Sequence, residues 1–164
     1  MRNKQVVVIG SGDDDQHLDT AFEIGKYIAE NKWVLITGGG GGIMEAASKG
    51  ASVTGGIVVG ILPDSDLSRS NEYCSIVIPS GIGYARNMTN ILSGDVIVSI
   101  NGKSGTLSEL AYAWQFGKPV ISCAFTGGWS SRIVPEPVDD RPGSKIFKAD
   151  SLTEVFQYLY EILI

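Results

Sequence analysis

Three glycine-bearing segments follow predicted strands and lead into predicted helices, where they could bind an anion. They are Gly10-Ser11-Gly12, Gly38-Gly39-Gly40-Gly41-Gly42 and Asn101-Gly102-Lys103-Ser104-Gly105-Thr106. Bare backbone N–H groups and the positive end of a helix together attract phosphate groups. The carboxyl ends of parallel strands share one sheet edge, so we expect the three segments to lie together. They predict a phosphate site, with tight strand-to-helix turns as the alternative for any one segment.

None of the three segments matches a standard nucleotide-binding fingerprint. A P-loop needs glycine five residues before the Gly-Lys-Ser step, and Ile97 occupies that position ahead of Gly102. The dinucleotide fingerprint GxGxxG fails after Gly10, because Asp15 stands in place of its last glycine. The five-glycine run fails in the same way at Ile43. The sequence therefore supports neither ATP hydrolysis nor NAD binding.

Two charged side chains could act on a bound ligand. Arg86 stands at the start of a predicted helix, where it could clamp a phosphate or ribose or simply be solvated. Glu109 could act as a carboxylate in the site, but Thr106-x-x-Glu109 also matches a capping box, which would make its role structural. His17 is the only histidine, so the sequence predicts no catalytic triad and no metal site.

The elements that must position these residues alternate between short apolar runs and helix-period segments, a pattern typical of β-α-β units. Strands are predicted at 5–9, 33–37, 56–61, 74–78, 95–100 and 119–124. Several are apolar throughout, as strands covered on both faces are. The predicted class is α/β: a Rossmann-like three-layer sandwich with a mainly parallel sheet and helices on both faces. We treat residues 1–164 as a single domain that binds a nucleotide or phosphate ligand.

Residues 126–145 contain several prolines and few periodic apolar positions. This composition predicts a long surface loop, for which one role would be a lid. Trp129 lies within the loop and could either stack on a planar ring of the ligand or pin the loop in place.

Composition and charge limit the partners of the chain. A length of 164 residues fits one domain, and a formal net charge of −5 disfavours a dedicated nucleic-acid binder. The apolar run Val6-Val7-Val8-Ile9 is too short to cross a bilayer, so no membrane partner is expected. Cys74 and Cys123 fall in predicted buried strands and cannot form a disulfide framework. We therefore expect a cytoplasmic protein with two thiols in its core.

Together these segments resemble the superfamily of Lonely Guy (LOG) cytokinin-riboside-monophosphate phosphoribohydrolases and molybdenum-cofactor carriers, which have a Rossmann-like fold. The most specific part runs from Asn101 to Glu109 and is similar to the family motif PGGxGTxxE. The resemblance is closest to the short carrier-like branch, which often carries a lysine decarboxylase label that nothing in the sequence supports. It covers nearly the whole chain and includes these segments: Val7-Val8-Ile9-Gly10-Ser11, Ile36-Thr37-Gly38-Gly39-Gly40, Ile43-Met44, Gly60-Ile61-Leu62-Pro63, Arg86 and Gly127-Gly128-Trp129.

The resemblance implies roles for individual residues. In the phosphoribohydrolases the motif holds a 5′-phosphate, and its glutamate acts with an arginine at the glycosidic bond. These roles would fall on Gly102, Gly105 and Thr106 for the phosphate and on Arg86 and Glu109 for catalysis.

The chain departs from the enzymes at four of the corresponding positions. Asn101 replaces the proline of the motif, Lys103 its second glycine and Ser108 an acidic residue, and Asn87 follows Arg86 where a lysine is common. Lys103 adds a side chain and a charge where the enzymes need close approach of the backbone. These departures favour a binding protein over an enzyme.

Two hypotheses follow, and whether the protein is an enzyme stays open between them. The first is a binding or carrier protein for a phosphorylated nucleotide-like or pterin-like molecule, such as the molybdenum cofactor or a nucleoside monophosphate. The alternative is a phosphoribohydrolase that cleaves nucleoside 5′-monophosphates to base and ribose 5-phosphate. The resemblance also implies a homodimer or a higher homo-oligomer. The predicted ligand contacts are Gly10, Ser11, Gly38, Gly39, Gly40, Gly41, Gly42, Arg86, Gly102, Lys103, Ser104, Gly105, Thr106 and Glu109.

Overall fold

A parallel sheet forms the centre of the molecule. The computed structural model describes residues 1–133, 135–142 and 145–164. Within these residues the strands are β1 (Gln5–Ile9), β2 (Val34–Thr37), β3 (Val58–Leu62), β4 (Ile76–Pro79), β5 (Val96–Ile100), β6 (Val120–Cys123) and β7 (Ile146–Ala149). They pair in the order β4-β3-β2-β1-β5-β6-β7, and every neighbouring pair is parallel. The sheet is therefore parallel throughout, where the sequence predicted a mainly parallel one.

Helices connect the strands and cover both faces of the sheet. They are α1 (Leu18–Glu30), α2 (Ile43–Val53), α3 (Arg86–Ser93), α4 (Ser104–Gln115), α5 (Gly128–Arg132) and α6 (Leu152–Leu163), with 3-10 turns at Leu67–Arg69, Gly83–Ala85 and Ala124–Thr126. Among the helices of the described residues, none has the length and apolar character needed to span a membrane.

Alternate residues of each central strand enter two separate cores, because successive side chains of a strand point to opposite faces. Val6 and Val8 of β1 pack in one core with residues of α1, α2 and α6. Val7 and Ile9 pack in the other core with residues of α3 and α4. The predicted three-layer α/β sandwich is confirmed.

The sequence prediction was wrong in two places outside the central strands. Residues 126–145 are not one loop, because α5 forms within them, and β7 was not predicted at all. A helix of five residues is too short to display an apolar period, and β7 is a short, largely half-exposed edge strand. Val134, Gly143 and Ser144 of the predicted loop lie outside the described residues. Cys123 is buried in β6 as predicted, whereas Cys74 precedes β4 and is half-buried.

Helices α1 and α2 pack closely enough that glycine is required at their contact. A Cβ atom on Gly25 of α1 would clash with the backbone carbonyl of Ala47 in α2. A Cβ atom on Gly50 of α2 would clash in the same way with the carbonyl of Phe22. Backbone atoms cannot move aside as the end of a flexible side chain can, so these contacts fix the distance between the two helices.

We predict that Gly25→Ala lowers the free energy of unfolding by about 1–3 kcal/mol, the usual cost of overpacking. This loss should occur although alanine has the higher helix propensity. The control is Gly105→Ala in α4, where an added Cβ has no atom of another described segment within 4 Å. That variant should keep or slightly raise the stability measured by urea denaturation. Equal stabilities of the two variants would contradict the packing argument.

Candidate functional site

A pocket opens where the order of the strands reverses. From β1 the chain builds β2, β3 and β4 outward on one side, and β5 starts the other side next to β1. Ligands of open α/β sheets bind at such a reversal, outside the carboxyl ends of the strands. The pocket has a volume of about 230 Å³. It is lined by Val8, Ile9, Gly10, Ser11, Gly12, Asp13, Gly38, Met44, Tyr84, Arg86, Asn87, Asn90, Lys103, Gly105, Thr106 and Glu109.

The pocket brings together residues from all the segments that the sequence singled out. Of the predicted ligand contacts, those that line it are Gly10, Ser11, Gly38, Arg86, Lys103, Gly105, Thr106 and Glu109. Those outside its lining are Gly39, Gly40, Gly41, Gly42, Gly102 and Ser104. Within residues 1–133, 135–142 and 145–164, no three His, Cys, Asp or Glu side chains are grouped so that they could hold a metal ion.

Most of the five-glycine run after β2 serves packing between loops. The carbonyl of Gly39 accepts a hydrogen bond from the backbone amide of Asn71 (2.7 Å). The carbonyl of Gly40 accepts one from the side-chain amide of Asn71 (2.9 Å). Gly42 has a φ of 58°, and an added Cβ would lie 2.5 Å from the carbonyl oxygen of Ser11. Gly38 is the member of the run that faces the pocket.

Arg86 begins α3 as predicted, but it is not a solvated surface arginine. Its Nη1 donates hydrogen bonds to the carbonyl oxygens of Gly38 and Ile61, both at 2.6 Å. Gly38 makes this possible, because a side chain there would occupy the space of the guanidinium. Burial lowers the pKa of Arg86, and the nearby charge of Glu109 opposes that change. The guanidinium is therefore a fixed cation in the wall of the pocket.

Glu109 lies inside α4 rather than at a cap, so the predicted capping box is wrong. The helix begins at Ser104, before Thr106, and its N-cap residue Lys103 makes no side-chain capping bond. Thr106 and Glu109 therefore both have helical neighbours on either side, and both are buried. The sequence analysis had the helix follow the segment that ends at Thr106, and a helix starting there would have put Thr106 at its N-cap.

The carboxyl group of Glu109 is buried beside Asn90 and close to Arg86. The Asn90 amide donates to Oε1 of Glu109 over 3.4 Å, while Oδ1 of Asn90 and Nε of Arg86 are buried without a partner among the described residues. Burial raises the pKa of Glu109 from 4.5 to about 7, and the Asn90 hydrogen bond and the charge of Arg86 oppose this rise. The floor of the pocket thus holds a carboxyl group that titrates near pH 7 and two polar atoms without hydrogen-bond partners among the described residues.

Sequence reasoning missed Asn90, although a signal for it was present. Asn90 follows Arg86 by four residues on α3, and residues four apart share one face of a helix. The face that carries Arg86 to the pocket must therefore carry Asn90 as well. Tyr84 and Asp13 were also missed, because nothing in the local sequence indicates that they border a cavity.

Helix α5 and the 3-10 turn before it hold the turn after β5 in place through hydrogen bonds. Asn101 has a φ of 49°, and its amide donates to Oγ1 of Thr126 at 2.7 Å. The carbonyl oxygen of Asn101 accepts hydrogen bonds from the amide (3.0 Å) and the hydroxyl (2.9 Å) of Ser130. The ring of Trp129 packs against the α3–α4 core, and its amide donates to the carbonyl of Gly102. Trp129 therefore pins this turn and does not line the pocket.

The fold and this pocket define a Rossmann-like α/β protein of the LOG and molybdenum-cofactor carrier-like superfamily. The chain belongs to the SLOG cluster4 family, whose model matches residues 3–156. It is 44% identical over 124 residues to an uncharacterized protein of Archaeoglobus fulgidus, a match that covers 74% of this chain and 81% of the other. It is 30% identical over 113 residues to a cytokinin riboside 5′-monophosphate phosphoribohydrolase of Mycobacterium tuberculosis, covering 63% of this chain and 60% of the enzyme.

Two solved structures are similar along almost their entire length. The molybdenum cofactor binding protein of Rippkaea orientalis superposes with a TM-score of 0.84 at 32% identity, covering 100% of this chain and 99% of the other. The molybdenum cofactor carrier protein of Chlamydomonas reinhardtii superposes with a TM-score of 0.81 at 29% identity, covering 99% of both chains. These similarities confirm the resemblance that the sequence motifs indicated.

We predict that Glu109 makes stability depend on pH. Because the folded state holds this proton more tightly than the unfolded state does, folding loses stability as the pH rises from about 4.5 to about 7. Glu109→Gln removes this titration, so its stability relative to wild type should rise across that interval by up to about 3 kcal/mol. Urea denaturation at several pH values measures it.

The control for this experiment is Glu72→Gln, which removes an exposed carboxylate outside the pocket. A stability difference between wild type and Glu109→Gln that stays constant with pH, or matches that of the control, would show that the carboxyl group is not buried as described.

Proposed function

We propose that the protein binds a phosphorylated nucleotide-like or pterin-like small molecule and acts as its carrier. The observation that best supports this is that the first turn of α4 lines the pocket. Gly105 and Thr106, in the first turn of α4, line the cavity. Apart from its chain neighbours and the backbone of its own helix, no described residue has an atom within 4 Å of the place where a Gly105 side chain would begin. A phosphate group fits there because the first amides of a helix have no partners within it.

Lys103 provides a cation at the rim of the same space. It is the N-cap residue of α4 and lines the pocket together with Gly105. An ammonium group beside helix amides adds a charge-assisted hydrogen bond to a phosphate oxygen. The substitution of lysine for the second glycine of the LOG motif therefore strengthens phosphate binding in this proposal.

The buried polar groups of the floor supply contacts for the rest of the ligand. Oδ1 of Asn90 can accept a hydrogen bond from a ligand N–H or O–H group, and Nε of Arg86 can donate one. Buried polar atoms without partners are costly, so a ligand that satisfies them gains affinity. Ribose hydroxyls and the ring of a nucleobase or pterin carry groups of this kind.

The similarities to known proteins support a carrier more than they support an enzyme. The two molybdenum-cofactor proteins match this chain over 99% or more of its length. The phosphoribohydrolase match covers 60% of that enzyme, and Lys103 and Asn101 alter the motif that the enzymes use.

The domain limits 1–164, a cytoplasmic location and a homodimer or higher oligomer stay predictions. The exposed apolar side chains of Tyr84, Met88 and Leu92, at or beside α3, are compatible with such an assembly.

The phosphoribohydrolase hypothesis is kept as a second candidate because of Glu109. A buried carboxyl group with a pKa of about 7 in the same pocket as Arg86 suits a general base at neutral pH. In that reaction Glu109 would accept a proton from water as the water oxygen bonds to C1′ of the ribose. The C1′–N bond would break with its electron pair moving to the leaving base, on which Arg86 would stabilise the developing negative charge. The base would then take up the proton that Glu109 received from water.

We predict that Gly105→Val abolishes binding of ribose 5-phosphate, because the side chain would fill the space at the first turn of α4. Isothermal calorimetry measures the affinity. The matched control is Ala111→Val, which adds a β-branched residue at an exposed position of the same helix, outside the pocket. The control should bind as wild type does. Normal binding by a folded Gly105→Val variant would place the phosphate elsewhere.

We predict that the wild-type protein releases little or no free base from AMP, GMP or CMP, as a carrier should. Glu109→Gln should then change the affinity for these nucleotides only modestly. Chromatography of the reaction mixtures detects the released base. Robust release by the wild type that falls by about 10²-fold or more in Glu109→Gln, without a loss of stability at the assay pH, would replace the carrier proposal with the glycosidase.

A further inference from the structure

The acidic loop after β1 contacts two of the positions where the chain departs from the LOG motif. Asn101, in place of the motif proline, donates from Nδ2 to Oδ2 of Asp14 at 2.7 Å. Lys103, in place of the second glycine, pairs through Nζ with Oδ2 of Asp13 at 2.6 Å. The motif glycine and proline could make neither contact, since they have no side-chain donor. The two replacements therefore tie the turn after β5 to the loop after β1.

The Asp14 contact is an anchor. Asp14 is buried, and its Oδ1 also accepts hydrogen bonds from the amides of Gln16 (2.8 Å) and His17 (3.1 Å) just before α1. The carboxylate is thus bound on both oxygens, and these bonds lower its pKa against the opposing effect of burial. An anchored Asp14 holds the neighbouring Asp13 at the edge of the pocket.

The Asp13–Lys103 ion pair is exposed and can exchange. Its side chains are 69% and 73% exposed, and such pairs contribute little to stability. Both residues line the pocket, and Lys103 precedes the first turn of α4, where the phosphate is proposed to bind. A phosphate at that turn and the Asp13 carboxylate would therefore lie within reach of the same ammonium group.

We propose that Asp13 sets the affinity of the phosphate site by competing with the ligand for Lys103. This inference rests on the proposed function. In the empty pocket the Asp13 carboxylate neutralises Lys103. When a phosphate binds, Lys103 transfers its hydrogen bond to a phosphate oxygen and Asp13 turns to solvent. Binding then includes the loss of an existing ion pair, which keeps the affinity moderate and suits a protein that must release its cargo.

A double-mutant cycle separates competition from simple charge repulsion. The probe is ribose 5-phosphate, measured by calorimetry at mildly alkaline pH and low salt, where its phosphate is dianionic. The variants are Asp13→Asn, Lys103→Met and the double variant. The matched control is Asp15→Asn, because Asp15 is an exposed carboxylate of the same loop that does not line the pocket.

Competition predicts that Asp13→Asn binds the probe about two- to fivefold more tightly than wild type, the range expected from an exposed ion pair. Asp15→Asn should change the affinity much less. Lys103→Met should bind more weakly than wild type. In the Lys103→Met background, Asp13→Asn should give no more gain than Asp15→Asn gives in wild type.

Three outcomes would overturn this inference. If Asp13→Asn and Asp15→Asn have equal effects in the wild-type background, Asp13 does not compete for Lys103. If the gain from Asp13→Asn persists in full with Lys103→Met, repulsion of the ligand explains it instead. In both cases wild-type binding of the probe leaves the proposed function intact. If neither the wild type nor any variant binds ribose 5-phosphate, the proposed function fails together with the inference.

Discussion

The parallel pairing of β1 with β5 is the constraint on which the pocket depends. Val6 to Ile9 align with Val96 to Ser99, so the turns that follow the two strands begin at nearly the same level. The chain leaves β1 toward one side of the sheet and continues from β5 toward the other. The two connections diverge, and a crevice remains between their helices. Glycine-rich turns, the N-terminus of α4 and the start of α3 all meet there because of this single change of direction.

Within the crevice, glycine acts mainly by making room. Gly38 allows the guanidinium of Arg86 to reach two backbone carbonyls, and Gly42 allows the turn after β2 to pack against the turn after β1. Gly105 differs from both because, among the described residues, no other segment of the chain occupies the space beside it. The glycines of this protein thus include some that the fold itself requires and one whose absent side chain leaves a cavity open. Together with the position of Gly105 in the pocket lining, this contrast supports the proposal that a ligand group binds at the first turn of α4.

The electrostatics of the pocket divide into an outer and an inner part. At the rim, Lys103 and Asp13 are exposed and paired, so water screens their charges and the pair can exchange. Deeper in the pocket, Arg86 is half-buried and Glu109 is buried, so burial lowers the pKa of the guanidinium, which stays a cation, and raises the pKa of the carboxyl group. In the proposed function, the phosphate of the ligand therefore binds at the rim, and the polar atoms of Asn90 and Arg86 that lack a partner among the described residues bind its hydrogen-bonding groups. A phosphorylated heterocycle or sugar combines the two.

The sequence by itself determined the α/β class, the central strands, the start of α3 at Arg86 and the motif ending at Glu109, because apolar period, glycine clusters and motif spacing are local properties. The tertiary structure decided the rest. It decided that Gly38 and Gly105 border the pocket while most of the glycine run does not, and that Glu109 is buried inside α4 instead of capping it. It also decided that Asp13 meets Lys103, 90 residues away in the chain. Such contacts depend on how distant segments pack together, and no local pattern in the sequence records that packing.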